Sequence, residues 1–256
     1  MKAPAFDYAR PKDLAEAIKL LAEGGRPAAG TQSLGPMLNL RVAHPPLLVD
    51  LRGIEELRFS SEDQDSVVLG ACVTHAEIED RRVPDPTGGL MASIAVNIAY
   101  RAVRNRGTLG GSLAHADPAA DWLTAMVLLG AVAAIAGPNG PRAVPMESFV
   151  TGIFTTVLAS DELLVAVRIP KRSPQARYGY WKFCRKAGEF AQAIGAALHD
   201  PERDELRAVI GALQGAPYLL PNAELSDAAL AAAGDDAYSR QLHVVALKRA
   251  VAQIVQ

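Results

Sequence analysis

Two glycine-containing turns most constrain how this chain can fold. They are Ala29-Gly-Thr-Gln-Ser-Leu34 and Thr108-Leu-Gly-Gly-Ser112. Glycine allows backbone N–H groups to approach an anion closely, and the Ser and Thr hydroxyls add further donors. Two such turns from separate parts of a chain could hold a pyrophosphate from two sides. Each could also be an ordinary tight turn, and the pattern alone leaves both interpretations open.

Neither turn carries the motif of a doubly wound nucleotide-binding fold. The sequence contains no G-x-G-x-x-G and no G-x-x-x-x-G-K-[ST]. Its predicted strands and helices do not alternate strictly, as they would around a parallel sheet. A chain of 256 residues accommodates one large domain or two modest ones, and the pattern changes after Pro170. We therefore predict an α+β fold with a boundary near residue 170.

Local signals predict the elements around the turns. Helical spacing predicts one helix across 89–102, and Asp117 followed by Pro118 predicts the start of another. The segment 190–198 is expected to continue a strand or to form a short helix, and the chain is predicted to be helical from about Asp227. Further strands are predicted at 27–29, 47–51, 67–73, 132–136, 163–169, 178–182 and 206–213.

Composition argues against several classes of protein. The net charge of −2 argues against nucleic-acid binding, which usually requires a basic face. Cys72 and Cys184 are the only cysteines, so the chain cannot by itself supply the four thiolates of an iron–sulfur cluster, and a structural metal site is not expected. The longest largely apolar run, 123–136, is shorter than the roughly 20 residues that span a bilayer. We predict a cytoplasmic protein without a membrane span.

Several charged side chains are candidates for ligand contacts. Asp121 could accept hydrogen bonds from a ribose or ribityl hydroxyl, whereas Asp117 needs no role beyond capping. His115 could be a base or a ligand, but a lone histidine is more often structural. Lys182 could face a phosphate or an electron-rich ring, or it could be an exposed strand residue. A basic run could bind phosphate or simply end a helix: Arg101, Arg104 and Arg106.

No pattern indicates substrate chemistry in this chain. The sequence lacks G-x-S-x-G and H-E-x-x-H. Cys72 and His75 are three residues apart, a spacing that we interpret as chance. We therefore predict no catalytic residue and no metal ligand.

At these residues the chain resembles the FAD-binding medium subunit of the molybdenum hydroxylases, the family of carbon monoxide dehydrogenase and xanthine dehydrogenase. The turn Ala29–Pro36 is similar to the family's A-G-G-x-S-L-x-P, and Val103–Ser112 to its I-R-N-R-G-T-I-G-G-[NS]. Further stretches are similar to family motifs and occur in the family's order along the chain: Leu40–Pro45, Leu48–Leu51, Ala114–Asp121, Glu162–Leu164, Ile169–Pro170 and Lys182–Ala191. Thr31 stands where the family has a second glycine, Ser112 where Asn is common, and Trp122 where Leu is usual.

The resemblance implies a fold and a site. The fold is a two-part FAD-binding domain of the vanillyl-alcohol-oxidase type over 1–170, split near residue 53, followed by a small α/β domain over 171–256. Both glycine turns would hold the FAD pyrophosphate, and Phe190 would lie near the flavin ring. The implied FAD contacts are Ala28, Ala29, Gly30, Thr31, Gln32, Ser33, Leu34, Ile98, Thr108, Leu109, Gly110, Gly111, Ser112, Ala116, Asp117, Asp121, Leu164, Lys182 and Phe190.

The resemblance also implies which subunit carries each cofactor. A large partner subunit would carry the molybdenum cofactor and a small one the iron–sulfur clusters, in a dimer of heterotrimers. This chain would pass electrons from those clusters through FAD to an external acceptor. Two alternatives stay open: a stand-alone FAD-dependent oxidoreductase of the same fold, and a scaffold that has lost its flavin.

Overall fold

The computed structural model describes residues 2–224, 226–234 and 236–255. Its strands are β1 Asp7–Ala9, β2 Arg26–Ala28, β3 Leu47–Asp50, β4 Ser60–Glu62, β5 Ser66–Gly70, β6 Val132–Gly137, β7 Gly140–Pro145, β8 Val150–Gly152, β9 Thr155–Thr156, β10 Leu163–Pro170, β11 Arg177–Phe183, β12 Ala193–Asp200, β13 Glu205–Gly211 and β14 Tyr218–Leu219. Its helices are α1 Leu14–Ala22, α2 Leu34–Asn39, α3 His75–Glu79, α4 Leu90–Ala95, α5 Arg101–Arg104, α6 Leu109–His115, α7 Asp121–Leu128, α8 Asp227–Ala232 and α9 Ala237–Val255.

The N-terminal part forms a small parallel sheet in the order β1-β3-β2. Helix α1 begins at its N-cap Asp13, whose side chain accepts from the Glu16 N–H, and Ala17 and Leu21 lie on its buried face. These two residues pack in one cluster with Val49 of β3. Strand β2 ends at the first glycine turn, so this sheet fixes where that turn lies.

A larger antiparallel sheet follows in the order β4-β5-β10-β6-β7. Its apolar side chains form one core with the helices α3, α4, α6 and α7. The second glycine turn lies at the start of α6. Helix α7 is buried along its whole length, from Asp121 to Leu128. A helix that is apolar nearly all round is expected to be enclosed on every side.

The last sheet, β11-β12-β13-β14, is antiparallel and carries α9 on one face. Two glycines permit this close packing. A Cβ on Gly179 would lie 1.9 Å from the carbonyl oxygen of Ala250, and one on Gly195 would lie 2.3 Å from the backbone N of Leu247. The opposite face packs against α7, so the strand β12 is almost entirely buried.

The predicted boundary near residue 170 falls at the end of β10. The core nevertheless continues across it, because one buried cluster contains Leu123 and Met126 of α7 together with Leu198 of β12 and Val209 of β13. Charged side chains reinforce the contact: the guanidinium of Arg207 donates to the carbonyl oxygens of Val127 and Leu128 at 2.9 Å each. The segment after residue 170 thus holds the carboxyl end of α7.

The helix predicted across 89–102 is two helices, α4 and α5, and the prediction of one was wrong. Ala99 lies between them at φ 46°, which an α-helix cannot contain. Its N–H donates to the carbonyl oxygen of Gly188 at 2.9 Å. This contact with a distant loop overrides the helical spacing of the apolar residues.

The predicted helix start at Asp117 and Pro118 was also wrong. Helix α7 begins at Asp121 with Ala120 as its N-cap. The Asp117 carboxylate instead accepts from the N–H of Ala119 at 3.0 Å, which closes a local turn. The segment 190–198, left open between strand and helix, enters strand β12 at Ala193.

Candidate functional site

The first glycine turn connects β2 to α2. The structure places the start of α2 at Leu34, so the turn ends there and Pro36 already lies in the helix. Thr31 lies in the left-handed region at φ 58°, a conformation that glycine adopts at least cost. The side chains of Thr31 and Gln32 both donate to the carbonyl oxygen of Gly30, at 2.8 and 2.9 Å. This carbonyl group is therefore held by the turn's own side chains.

The backbone donors of the first turn are unbonded within the described part of the chain. Within the described ranges, no protein acceptor bonds the N–H groups of Thr31, Gln32, Ser33 or Leu34. These four residues are exposed or half-buried. Successive free N–H groups around a left-handed residue form a concavity that attracts an anion. The first turn therefore fits a phosphate or pyrophosphate group.

The second glycine turn differs because its donors are already used. It is the beginning of α6, capped by Thr108, and not a free loop. The N–H of Leu109 donates to Val73 and that of Gly110 to Ala71, each at 2.9 Å. The N–H of Gly111 donates to the Thr108 hydroxyl at 3.0 Å. The bonds to Ala71 and Val73 attach α6 to the segment that follows β5. The FAD contacts of residues 108–112 stay a prediction of the resemblance.

The fold brings the two turns together. A Cβ on Gly30 would lie 2.0 Å from the carbonyl oxygen of Arg106 and 2.8 Å from the Cα of Gly107. One on Gly111 would lie 3.9 Å from the Cβ of Ala29. Gly30 is therefore required for backbone-to-backbone contact between the turns. The second turn and the residues before it support the first.

A buried ion pair lies at the beginning of α7. The ammonium of Lys182 on β11 donates to Asp121 at 2.8 Å, and only 8% of the Lys182 side chain and 5% of the Asp121 side chain are exposed. The hydroxyl of Tyr180 donates to the other carboxylate oxygen at 2.9 Å. Burial raises the pKa of Asp121, while Lys182 and Tyr180 oppose that shift. Buried charges of this kind are costly, which makes the pair a candidate for a functional role.

Tyr180 was not singled out from the sequence. The signal for it was present, because Tyr180 and Lys182 are two residues apart in a strand and so share one face. Burial and the neighbouring carboxylate raise the pKa of Tyr180 well above its ordinary value of 10. The phenol therefore keeps its proton at neutral pH and donates it to the Asp121 carboxylate.

The remaining predicted contacts lie around this ion pair or in the core. The Lys182 ammonium also donates to the carbonyl oxygen of Asn97 at 3.3 Å, next to Ile98. Ile98 forms a bridge with Gly188, two residues before Phe190, a residue that is 62% exposed. Leu164 is buried in β10. The structure therefore brings Ile98 and the loop that carries Phe190 to the Asp121–Lys182 pair.

The end of α6 carries the last two predicted contacts. Ala116 is a buried, left-handed C-cap, and its carbonyl oxygen accepts from the N–H of Phe154 at 3.1 Å. Asp117, which follows it, is half-buried in the turn already described. The ring of His115 packs 5.0 Å from that of Phe154, and burial lowers the pKa of His115. This arrangement favours the structural interpretation of His115.

Two members of the basic run are occupied by ion pairs. Arg104, which is buried, binds Glu79 through two nitrogens at 2.7 and 2.9 Å. Arg101 binds Asp80 through two nitrogens at 2.6 Å each. Forked pairs of this geometry fix orientation strongly. Arg101 and Arg104 thus attach α5 to α3, and of the run only Arg106 adjoins the first turn, through its backbone.

Cys72 and His75 do not form a reactive pair. The indole N–H of Trp122 donates to Nδ1 of His75 at 3.1 Å, and both side chains are buried beneath the second turn. Burial lowers the pKa of His75 to about 4 and raises that of Cys72 to about 12. Both cysteines are free thiols, with Cys72 buried and Cys184 half-buried. Among the described residues no three or more His, Cys, Asp or Glu side chains group around a metal position.

Comparisons with known proteins agree with this geometry. Residues 4–172 match the family described as the FAD binding domain in molybdopterin dehydrogenase. The medium chain of carbon monoxide dehydrogenase from Hydrogenophaga pseudoflava is 37% identical over 75% of this chain and 68% of its own. The nicotine 6-hydroxylase medium subunit from Paenarthrobacter nicotinovorans is 34% identical over 88% of this chain and 80% of its own. The chain belongs to the family of molybdopterin dehydrogenase FAD-binding domains.

Solved structures show the same fold. A carbon monoxide dehydrogenase structure from Hydrogenophaga pseudoflava matches 100% of this chain and 99% of its own chain, with a TM-score of 0.90 and 30% identity. Quinoline 2-oxidoreductase from Pseudomonas putida 86 matches with a TM-score of 0.85 at 32% identity, over 100% of this chain and 99% of its own. The predicted α+β fold class and the predicted family are confirmed. None of the described helices is long and apolar enough to cross a membrane.

Proposed function

We propose that this chain binds FAD and conveys electrons from the iron–sulfur clusters of a partner subunit to an external acceptor, as one subunit of a molybdenum-containing dehydrogenase. The observation that carries the proposal is the set of free N–H groups from Thr31 to Leu34, in a chain whose family binds FAD. A dinucleotide with two linked phosphates is the ligand that such a turn suits.

The chain's own residues would bind and orient the cofactor. The first turn would hold the pyrophosphate through its N–H groups, with Gly30 placed by its contact with Arg106 and Gly107. Asp121 retains free lone pairs and would accept from a ribose or ribityl hydroxyl. The other proposed contacts are Ala28, Ala29, Ile98, Thr108, Leu109, Gly110, Gly111, Ser112, Ala116, Asp117, Leu164, Lys182 and Phe190.

When bound, FAD supplies the redox chemistry, and the protein supplies position and electrostatics. Within the site, the ion pair between Asp121 and Lys182 is held out of water, so its field is stronger than it would be at the surface. The exposed ring of Phe190 would shield the flavin from solvent. No residue of this chain is assigned a catalytic role.

The proposed partners are a large subunit with the molybdenum cofactor and a small subunit with iron–sulfur clusters. Relatives of this chain bear names of medium chains or subunits, which supports a multi-subunit assembly. The two cysteines of this chain support the placement of the clusters elsewhere. We further propose a dimer of heterotrimers in the cytoplasm, as predicted from the sequence.

The test is the absorption spectrum of this chain co-expressed with the subunits encoded beside it. Oxidised flavin bands above iron–sulfur absorption, with FAD released on denaturation, are expected. A purified complex that contains clusters but no flavin would contradict the proposal. Substrate turnover by the isolated chain would favour a stand-alone oxidoreductase instead.

A further inference from the structure

Tyr180 joins the Asp121–Lys182 pair from the strand that also carries Lys182. Its hydroxyl donates to Oδ1 of Asp121 at 2.9 Å, while Lys182 donates to Oδ2 at 2.8 Å. Both carboxylate oxygens therefore have a donor from β11. With one donor on each oxygen, the carboxyl plane can no longer rotate freely about its bond to Cβ.

The backbone of Tyr180 is held by helix α9. The side-chain amide of Gln253 on α9 accepts from the Tyr180 N–H at 3.0 Å and donates to its carbonyl oxygen at 3.4 Å. Gly179, next to Tyr180, packs directly against the backbone of α9 at Ala250. The phenol consequently extends toward α7 from a backbone that is held on its other side.

The geometry points to Tyr180 as a positioning residue of the FAD site: its hydroxyl holds the Asp121 carboxylate ionised and oriented, and through it Lys182. This inference rests on the proposed function. Burial disfavours the charged form of Asp121, and without the hydroxyl one of the groups that oppose this effect is lost. If Asp121 were then protonated, Lys182 would lose its counter-ion. Among the described residues, Lys182 is the charged side chain that pairs with this carboxylate.

The experiment measures the dissociation constant of FAD for the apo full-length chain between pH 5 and 9, by quenching of flavin fluorescence. Tyr180→Phe keeps the ring and removes the donor, and we expect affinity to fall about 10-fold at neutral pH. The acid limb of its binding profile should move to higher pH, because Asp121 would protonate sooner. A merely structural tyrosine would not move that limb.

Tyr178→Phe is the matched control. Tyr178 lies two residues earlier on the same face of β11, and its hydroxyl bonds no acceptor within the described chain. Its replacement should leave the FAD affinity within 2-fold of the wild type and the pH profile unchanged. Equal losses in the two variants would overturn the inference, because the hydroxyl at position 180 would then have no special role.

A double-mutant cycle tests whether Tyr180 acts through Asp121. In an Asp121→Asn background, Tyr180→Phe should cause no further loss of affinity, and a full additional 10-fold loss would overturn the inference. Asp121→Glu keeps the charge but moves the carboxylate, so it should weaken FAD binding as Tyr180→Phe does. It provides a second variant if Tyr180→Phe does not fold. Wild-type chain that does not bind FAD at all would overturn the proposed function, a result separate from any difference between variants.

Discussion

The two glycine turns look alike in sequence and differ in what their backbone does. In the first, the N–H groups of residues 31–34 have no acceptor among the described residues. In the second, the N–H groups of residues 109–111 are bonded within the protein. Glycine at Gly30 and Gly110 permits close backbone packing in both cases. The difference teaches that a glycine turn offers backbone donors to an anion only where the fold leaves those donors unbonded, and the donors of residues 109–111 serve instead to pack the second turn.

The largest effect is expected from Gly110→Ala in the second turn. Its Cβ would lie 2.4 Å from the Cβ of Ala71 and 2.7 Å from the Ala71 carbonyl oxygen, so the backbone itself must move. We expect a loss of about 3 kcal/mol in the free energy of unfolding, measured by urea denaturation.

The control for Gly110→Ala is Gly35→Ala, in α2 after the first turn, where an added Cβ meets no atom within 4 Å. That change should leave stability unaltered or raise it by up to about 1 kcal/mol. Similar losses in both variants would show that the second turn is not the more tightly packed of the two.

A second effect, of similar size at its limit, should appear on acidification, because His75 lies beneath the second turn. Its pKa is lowered from 6.5 to about 4 by burial, so the unfolded chain binds a proton that the folded chain does not. Stability is therefore fully present above pH 6.5 and is lost as the pH falls toward 4, by up to roughly 3 kcal/mol.

The measurement compares urea denaturation of wild type and His75→Asn at several pH values. Asparagine can still accept from the Trp122 indole but does not titrate, so its stability should depend less on pH between 6.5 and 4. Parallel curves for the two proteins would contradict the assignment of this pH dependence to His75.

A pair of capping variants compares the turns directly. Thr108 accepts from the N–H of Gly111, whereas Ser33 makes no side-chain capping bond. Thr108→Ala should cost about 1 kcal/mol of stability, and Ser33→Ala less than about 0.5 kcal/mol. Thermal unfolding of the two apo proteins checks this, and the reverse order would contradict the assignment of the structural role to the second turn.

The last comparison concerns the left-handed residue of the first turn. Thr31→Ala and Thr31→Gly both remove the hydroxyl that donates to Gly30, but only glycine adopts φ 58° without strain. The glycine variant should therefore be the more stable by about 1 kcal/mol. Equal midpoints in urea denaturation would indicate that the turn does not keep this conformation.

Much of the fold could be predicted from local patterns. The sequence predicted the strands β5, β6, β10 and β13 within a few residues, because each is a short apolar run between turn signals. It did not predict the break at Ala99, because the hydrogen bond to Gly188 that causes the break comes from a loop far along the chain. Nor could it show that Asp117 closes a turn rather than capping α7, since both use the same carboxylate.

The sequence indicated which residues belong to the candidate site but not which side chains they bond. The residue pattern and the resemblance brought out Asp121 and Lys182 separately, and only the fold shows that they are 2.8 Å apart and that Tyr180 bonds the same carboxylate. The basic run illustrates the same limit, because the ion pairs of Arg101 and Arg104 depend on carboxylates of α3. Which donors of a glycine turn are free is likewise a property of tertiary packing.

Amide hydrogen exchange of the full-length chain, with and without FAD, tests the central claim most directly. Without FAD, the amides of residues 31–34 should exchange fast and those of residues 109–111 slowly, because only the latter are bonded within the protein. Addition of FAD should slow exchange at residues 31–34 and leave residues 109–111 nearly unchanged. Protection that appears at residues 109–111 but not at 31–34 would contradict the account.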